Sequence, residues 1–215
     1  EISELHPYDP IEWSQAHLQI MYELQNDLKE ITGMADVSLQ PSAGAQGEFT
    51  GLLLISAYHR QKNHHKKTII TADTSHGTNP ASAALAGFKI VQISTDADGS
   101  VNPKAVEAVL NDDVAALMLT NPNTLGFFEK NIHEISRMLH KKDALLYIDG
   151  ANMNAVLGIS RPGDYGADVI QFNLHKTFTT PHGGGGPGSG PIAVSEKLVP
   201  FLPIPRVEKH ENLYS

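Results

Sequence analysis

Lys176 lies in the run Asn173-Leu174-His175-Lys176-Thr177, just after an apolar segment that ends at Phe172. A lysine placed there is badly sited to serve solubility. A lysine amine whose pKa has fallen is a nucleophile that condenses with an aldehyde. Asp149 stands in Tyr147-Ile148-Asp149-Gly150-Ala151-Asn152, also at the end of an apolar run and 27 positions before the lysine. A buried carboxylate can hold the proton on a pyridine nitrogen. Ala151, two residues on, is small enough for a flat ring to lie against it. Read singly, Lys176 is a loop lysine and Asp149 a helix cap. Read as a pair at two strand ends, they serve the two ends of one ring.

Three further segments fit the same ring, and the cofactor they suit is pyridoxal phosphate (PLP). Ser42-Ala43-Gly44-Ala45-Gln46-Gly47 precedes an apolar helix. Small residues there let backbone N–H groups approach an anion, and the helix dipole favours negative charge. Alone, the segment is equally an ordinary turn and N-cap. His76, in Asp73-Thr74-Ser75-His76-Gly77-Thr78-Asn79-Pro80, follows another apolar run and can stack on the ring face opposite Ala151. A single histidine of this kind is ordinarily structural. Pro181-His182-Gly183-Gly184-Gly185-Gly186-Pro187-Gly188-Ser189-Gly190 reads as backbone packed against the site or a subunit interface, where side chains would clash. It lacks the spacing of a nucleotide P-loop.

These motifs need a scaffold, and the chain supplies an alternation of helical stretches and short apolar runs. That alternation predicts an α/β protein, a three-layer α/β/α sandwich around a mostly parallel sheet. The expected helices cover about Glu12–Ile31, stopped by Gly33, and about Glu48–Tyr58. Others cover Ala81–Ala86, a stretch opened by Asn102-Pro103, and a stretch marked by Ile132, Ile135 and Leu139. The expected strands are Thr68–Ala72, Lys89–Ile93, Val114–Leu119, Ala144–Ile148, Asp168–Phe172 and Pro191–Val194. The basic stretch His59–Lys67 reads as a solvated loop. Four polar clusters, Asp73–His76, Asn121-Pro122-Asn123, Asp149 and Lys176, follow the runs ending at Ala72, Leu119, Ile148 and Phe172, the place where open α/β sheets bind ligands.

Composition narrows the class. With 215 residues, 40% hydrophobic and 19% charged, the chain has room for one large domain or two small ones. A net charge of −8 disfavours nucleic-acid binding. The absence of cysteine excludes disulfides, thiolate zinc sites and a cysteine nucleophile. The histidines lack zinc-motif spacing, so no metal site is expected. No apolar run is long enough to span a membrane. The start at Glu1 suggests processing or trimming. Glu211-Asn212-Leu213-Tyr214 looks like part of a cleavage tag, so 1–205 is taken as the domain and 206–215 as a tail.

The strand–Asp–Gly–Ala and strand–Asn–Leu–His–Lys–Thr pair resembles fold-type I PLP enzymes, the aspartate aminotransferase superfamily. Leu39–Glu48, Ser75–Ala83 and Leu174–Thr177 leading into the glycine run narrow the resemblance to the glycine decarboxylase P-proteins, in their C-terminal half or separate second subunit. The likeness spans about His6 to Pro203. Members are longer on both sides, so the chain is expected to be an excised large domain without the small C-terminal domain, inactive or nearly so by itself. Ser42 stands where Asn is expected.

The resemblance implies decarboxylation of glycine on PLP and transfer of the aminomethyl group to the lipoyl group of the H-protein. It implies Lys176 as the Schiff-base lysine, and Asp149, Ala151, His76, Ser42, Ala43, Gly44, Ala45 and Asn173 as cofactor contacts. His175 and His182 are near enough in sequence to move protons, with an orienting role preferred. A homodimer, or a heterodimer with the other P-protein half, is implied, in the cytoplasm of a bacterium or the mitochondrial matrix of a eukaryote. Another fold-type I decarboxylase or lyase and a non-catalytic assembly subunit are the alternatives.

Overall fold

A computed structural model describes residues 5, 6, 8–178 and 188–215. Helix α1 (Gln15–Thr32) follows a 3-10 turn over Ile11–Ser14 and ends at Gly33, whose φ of 65° is the left-handed conformation that closes a helix cleanly. Strand β1 (Asp36–Ser38) leads to α2 (Gly44–Gln61), then β2 (Thr68–Ala72), α3 (Thr78–Leu85) and β3 (Lys89–Ile93). α4 (Pro103–Val109), β4 (Val114–Thr120), α5 (Ile132–Lys141) and β5 (Leu145–Gly150) follow. β6 (Val169–Phe172), the single turn α6 (Leu174–Thr177) and β7 (Ile192–Val194) complete the main sheet. At α4 the Asn102 side chain accepts the Lys104 N–H at 2.9 Å, and Pro103 takes the first helical position, where its missing donor costs nothing.

The seven strands run β1-β7-β6-β5-β4-β2-β3. Strands β2 to β6 pair in parallel, and β7 and β1 add an antiparallel edge. Every residue of β4, β5 and β6 is buried, as befits strands covered on both faces. Alternate residues feed two cores. Leu117, Leu119, Leu146, Ile148 and Ile170 pack against Leu28, Ile135 and Leu139 on one face. Ala116, Met118, Leu145, Tyr147 and Val169 pack against Leu52 and Ile55 of α2 on the other. The three-layer architecture is therefore the expected one.

Several details differ from the sequence reading. Helix α2 begins at Gly44, four residues before the expected start, because Gly44 and Gly47 fold into its first turns. The basic stretch is only partly a solvated loop. His59 is in the last buried turn of α2, 1% exposed, and its Nε2 lies 3.0 Å from the Ala115 carbonyl. The Lys66 ammonium donates to the carbonyls of Asp112, Val114 and Lys142 at 3.1, 3.1 and 2.9 Å. The last residues pair as β8 (Lys209–His210) and β9 (Leu213–Tyr214). Tyr214 exchanges backbone hydrogen bonds with the Gln15 amide at 2.8 and 2.9 Å, which seats this stretch on α1.

Candidate active site

The carboxyl ends of β4, β5 and β6, the loop after β2 and the start of α2 surround a cavity of about 260 Å³. Lys176, His175, Asn173, Asp149, Ala151, His76, Gly44 and Ala45 line it. The lysine and the carboxylate singled out from sequence thus face one shared space. Ser42 and Ala43 precede it in the chain and are not in its wall. The Ser42 hydroxyl and N–H both point to the Gln46 side-chain oxygen, at 2.5 and 2.9 Å.

Asp149 is 2% exposed at the end of β5. Its Oδ1 accepts the Ala151 N–H at 2.9 Å and the Gln171 amide at 2.6 Å, and its Oδ2 accepts the Asn79 amide at 2.9 Å. The register explains one of these, since Gln171 of β6 sits directly beside Asp149. The Tyr147 hydroxyl in turn donates to Gln171 Oε1 at 2.8 Å, which fixes which way that amide points. Tyr147 is fully enclosed, and burial, with Glu48 and Asp149 nearby, holds its hydroxyl well above the usual range and so protonated.

Lys176 is exposed in α6, on the turn whose N-cap is Asn173, and its backbone N–H donates to the Asn173 carbonyl at 2.8 Å. His175 accepts the Ser189 N–H on Nδ1 at 3.2 Å. A Cβ on Gly188 would come within 2.6 Å of that ring. The described end of the glycine segment is therefore packed against the site, and a Cβ on Gly190 would run into the Ala43 carbonyl. His182 and the rest of the glycine run, through Pro187, lie outside the described residues.

Helix α2 aims its amino terminus at the cavity, and no side chain caps it. An 18-residue helix presents partial positive charge there, which suits a phosphate. Thr120 Oγ1 is buried without a partner at the cavity wall, a polar group ready for a ligand atom. An amine, a buried carboxylate, a flat imidazole, a small Ala151 and an uncapped helix amino end together fit a phosphorylated pyridine aldehyde.

The sequence reading missed Glu48, Thr78, Thr120, Thr124 and Asn152, all in the cavity wall, and Gln171 behind Asp149. Glu48 is 5% exposed, and burial together with the Asp149 charge raises its pKa. Polar residues inside otherwise apolar segments were the available signal for Glu48 and Gln171.

At the far end of α2, the ligating atoms of His59, His64 and Asp143 lie within 4.8 Å of one another. The Lys62 ammonium already sits on Asp143 at 3.0 and 3.2 Å and the Tyr58 hydroxyl at 2.9 Å, so a cation there would have to displace them.

Comparison with known proteins places the chain in a family. A "Probable glycine dehydrogenase (decarboxylating) subunit 2" from Caldanaerobacter subterraneus subsp. tengcongensis is 59% identical over 213 residues, covering 99% of this chain and 44% of that protein. One from Chloroherpeton thalassium is 61% identical over 210 residues, covering 98% and 43%. The chain thus spans less than half the length of these relatives. A crystal structure of glycine decarboxylase (P-protein) of the glycine cleavage system, in inhibitor-bound form, superposes with a TM-score of 0.79 at 24% identity over 99% of this chain and 47% of that one. A sphingosine-1-phosphate lyase from Burkholderia pseudomallei shares the fold at a TM-score of 0.70 and 16% identity, over 84% of this chain and 45% of the other. The family described as glycine cleavage system P-protein matches residues 2–207, and the chain belongs to that family.

Proposed function

We propose that this chain is the PLP-binding part of a glycine decarboxylase, which releases CO2 from glycine and passes the aminomethyl group to the lipoyl disulfide of an H-protein. The observation that carries the reading is the convergence of Lys176, Asp149, His76, Ala151 and the amino end of α2 on one cavity. PLP, when bound, supplies an electron-withdrawing ring that takes up the electron pair left by CO2. Lys176 would supply the amine that holds the cofactor aldehyde. Asp149, fixed by three N–H donors, keeps a proton on the ring nitrogen. His76 and Ala151, which line the same cavity, would confine the two faces of the ring. The N–H groups of Gly44 and Ala45 hold the phosphate. Asn173 and His175 set the turn that carries the lysine. The relatives' designation as a subunit 2 supports a partner subunit, either the other P-protein half or a second copy.

The test is a PLP titration of the chain followed by visible absorbance. Wild type develops a band from the lysine-bound cofactor, glycine perturbs it in preference to other amino acids, and Lys176→Ala lacks it. Identical spectra for wild type and Lys176→Ala overturn the assignment.

A further inference from the structure

Glu48 is a buried carboxyl group for which the proposed chemistry has no stated use. Its Oε1 lies 2.7 Å from the Thr78 hydroxyl, and its Oε2 accepts the Ser82 hydroxyl at 3.1 Å. The same Thr78 hydroxyl lies 2.7 Å from His76 Nδ1, and the Thr78 backbone N–H points at that nitrogen at 3.2 Å. Thr78 therefore stands between a carboxyl group and an imidazole with one hydroxyl hydrogen to share.

Counting hydrogens decides between two arrangements. In the first, Glu48 is ionised. The Thr78 hydroxyl then donates to Oε1, so Nδ1 must carry the hydrogen that bridges to Thr78 Oγ1. The Thr78 N–H then faces another N–H and has no lone pair to meet. In the second, Glu48 is protonated and its O–H donates to Thr78 Oγ1. The Thr78 hydroxyl donates to Nδ1, the Thr78 N–H shares the same lone pair, and Nε2 keeps the ring hydrogen. Only the second satisfies all four contacts.

We propose that Glu48 is a proton-bearing positioning residue, whose hydrogen starts a one-way chain through Thr78 that locks the tautomer and orientation of His76 over the ring site. The setting agrees: Glu48 is 5% exposed, pairs with no cation among the described residues, and shares the cavity with the Asp149 carboxylate. Burial first, and the Asp149 charge in addition, raise its pKa and favour its neutral form against the opposing pull of Thr78, Asn79 and Ser82. One consequence rests on the PLP reading above: with Glu48 neutral, Asp149 is the lone anionic side chain among the described residues of the cavity wall, left to face the ring nitrogen. Two carboxyl groups in one cavity are thereby assigned opposite charge states.

The experiment uses the chain labelled with carboxyl-13C glutamate, without cofactor, and infrared spectroscopy at neutral pH. Wild type is expected to show an isotope-shifted carbonyl stretch of a protonated carboxylic acid, lost in Glu48→Gln. Absence of that band in wild type overturns the proposal without reference to any variant. PLP affinity gives the second readout. Glu48→Ala, which removes the donor to Thr78, is expected to weaken PLP about tenfold, the equivalent of one oriented hydrogen bond. Glu48→Gln offers an amide N–H in the same place and is expected to restore the affinity to within about twofold. A Glu48→Gln loss as large as that of Glu48→Ala overturns the proposal. If wild type binds no PLP at all, the cofactor reading fails while the infrared result still decides the state of Glu48.

Discussion

Tyr147→Phe probes whether the support behind Asp149 shapes the site or merely fills space. Tyr147 is not among the residues that line the cavity. It donates to Gln171 Oε1 at 2.8 Å, and Gln171 passes the orientation on by donating to Asp149 Oδ1 at 2.6 Å. Removing one oxygen leaves Gln171 Oε1 buried with no donor, at a cost of about 1–3 kcal/mol. For a chain of this size each kcal/mol shifts Tm by roughly 2–4 °C, so a fall of about 2–12 °C is expected by calorimetry. The second effect is on the ligand. A Gln171 amide without its anchor can turn its oxygen toward Asp149, replacing an attraction with a repulsion. If about 1.4 kcal/mol of carboxylate orientation is lost, PLP binds about tenfold more weakly. Tyr58→Phe is the control. Its hydroxyl bonds Asp143 at 2.9 Å at the opposite end of α2, where Lys62 and His64 also hold that carboxylate. It is expected to leave PLP affinity unchanged. If the two variants have the same PLP affinity, Gln171 does not orient Asp149 and the chain of argument through β6 is wrong.

Two other perturbations follow from the same geometry. Burial pushes the His59 imidazole down to about 4, against about 6.5 in an unfolded chain. Between those values the unfolded chain binds the extra proton, so stability falls as pH drops through this window, by on the order of 3 kcal/mol, and no further below it. Urea unfolding at pH 7 and at pH 4.5 should show a steeper loss for wild type than for His59→Asn, and parallel losses would refute the assignment. Gly190→Ala would drive a Cβ into the Ala43 carbonyl and to 2.8 Å from the Gly44 nitrogen, both backbone atoms that cannot swing aside. A destabilisation of about 1–3 kcal/mol is expected, and weaker PLP binding if, as proposed, the Gly44 N–H faces the cofactor phosphate. Undiminished PLP affinity would separate the glycine segment from the anion site.

The parts of the site that were legible in the sequence are those announced by contrast over a few residues. Asp149 and Lys176 each break an apolar run at its end, and runs such as Val114–Thr120 betray strands buried on both faces. Glu48 gave a weaker signal. It sits in an apolar helix, and what defines it are Thr78 and Ser82, 30 and 34 positions away. No local pattern encodes a contact of that separation. Gln171 is similar, for its meaning comes from the parallel register that lays it beside Asp149. Strand β1 escaped notice because three residues are too few for a periodicity, and only its pairing with β7 makes it a strand. The start of α2 was placed too late because Gly44 and Gly47 are poor helix formers by propensity. Close packing against Asn173 and Gly190 outweighs that preference.

Helix α2 shows why a site with so few charged groups can still be rigid. Positions 44, 47, 48, 51, 55 and 59 recur at helical spacing and place one face along the sheet. Gly44 lies under Asn173, Gly47 comes within 2.6 Å of the Gly190 carbonyl if given a Cβ, and Gly51 lies against the Tyr147 ring. Ile55 is fully buried, and His59 fastens the last turn to the Ala115 carbonyl. The glycines bring the helix axis close to β5 and β6, and the buried His59 ties its last turns to β4. An anion site made of helix N–H groups works only if the helix cannot retreat from the charge it binds. Loosening α2 at His59, far from the cavity, is therefore a change that stability and phosphate affinity should feel together, whereas loosening a surface helix such as α4 should touch stability alone.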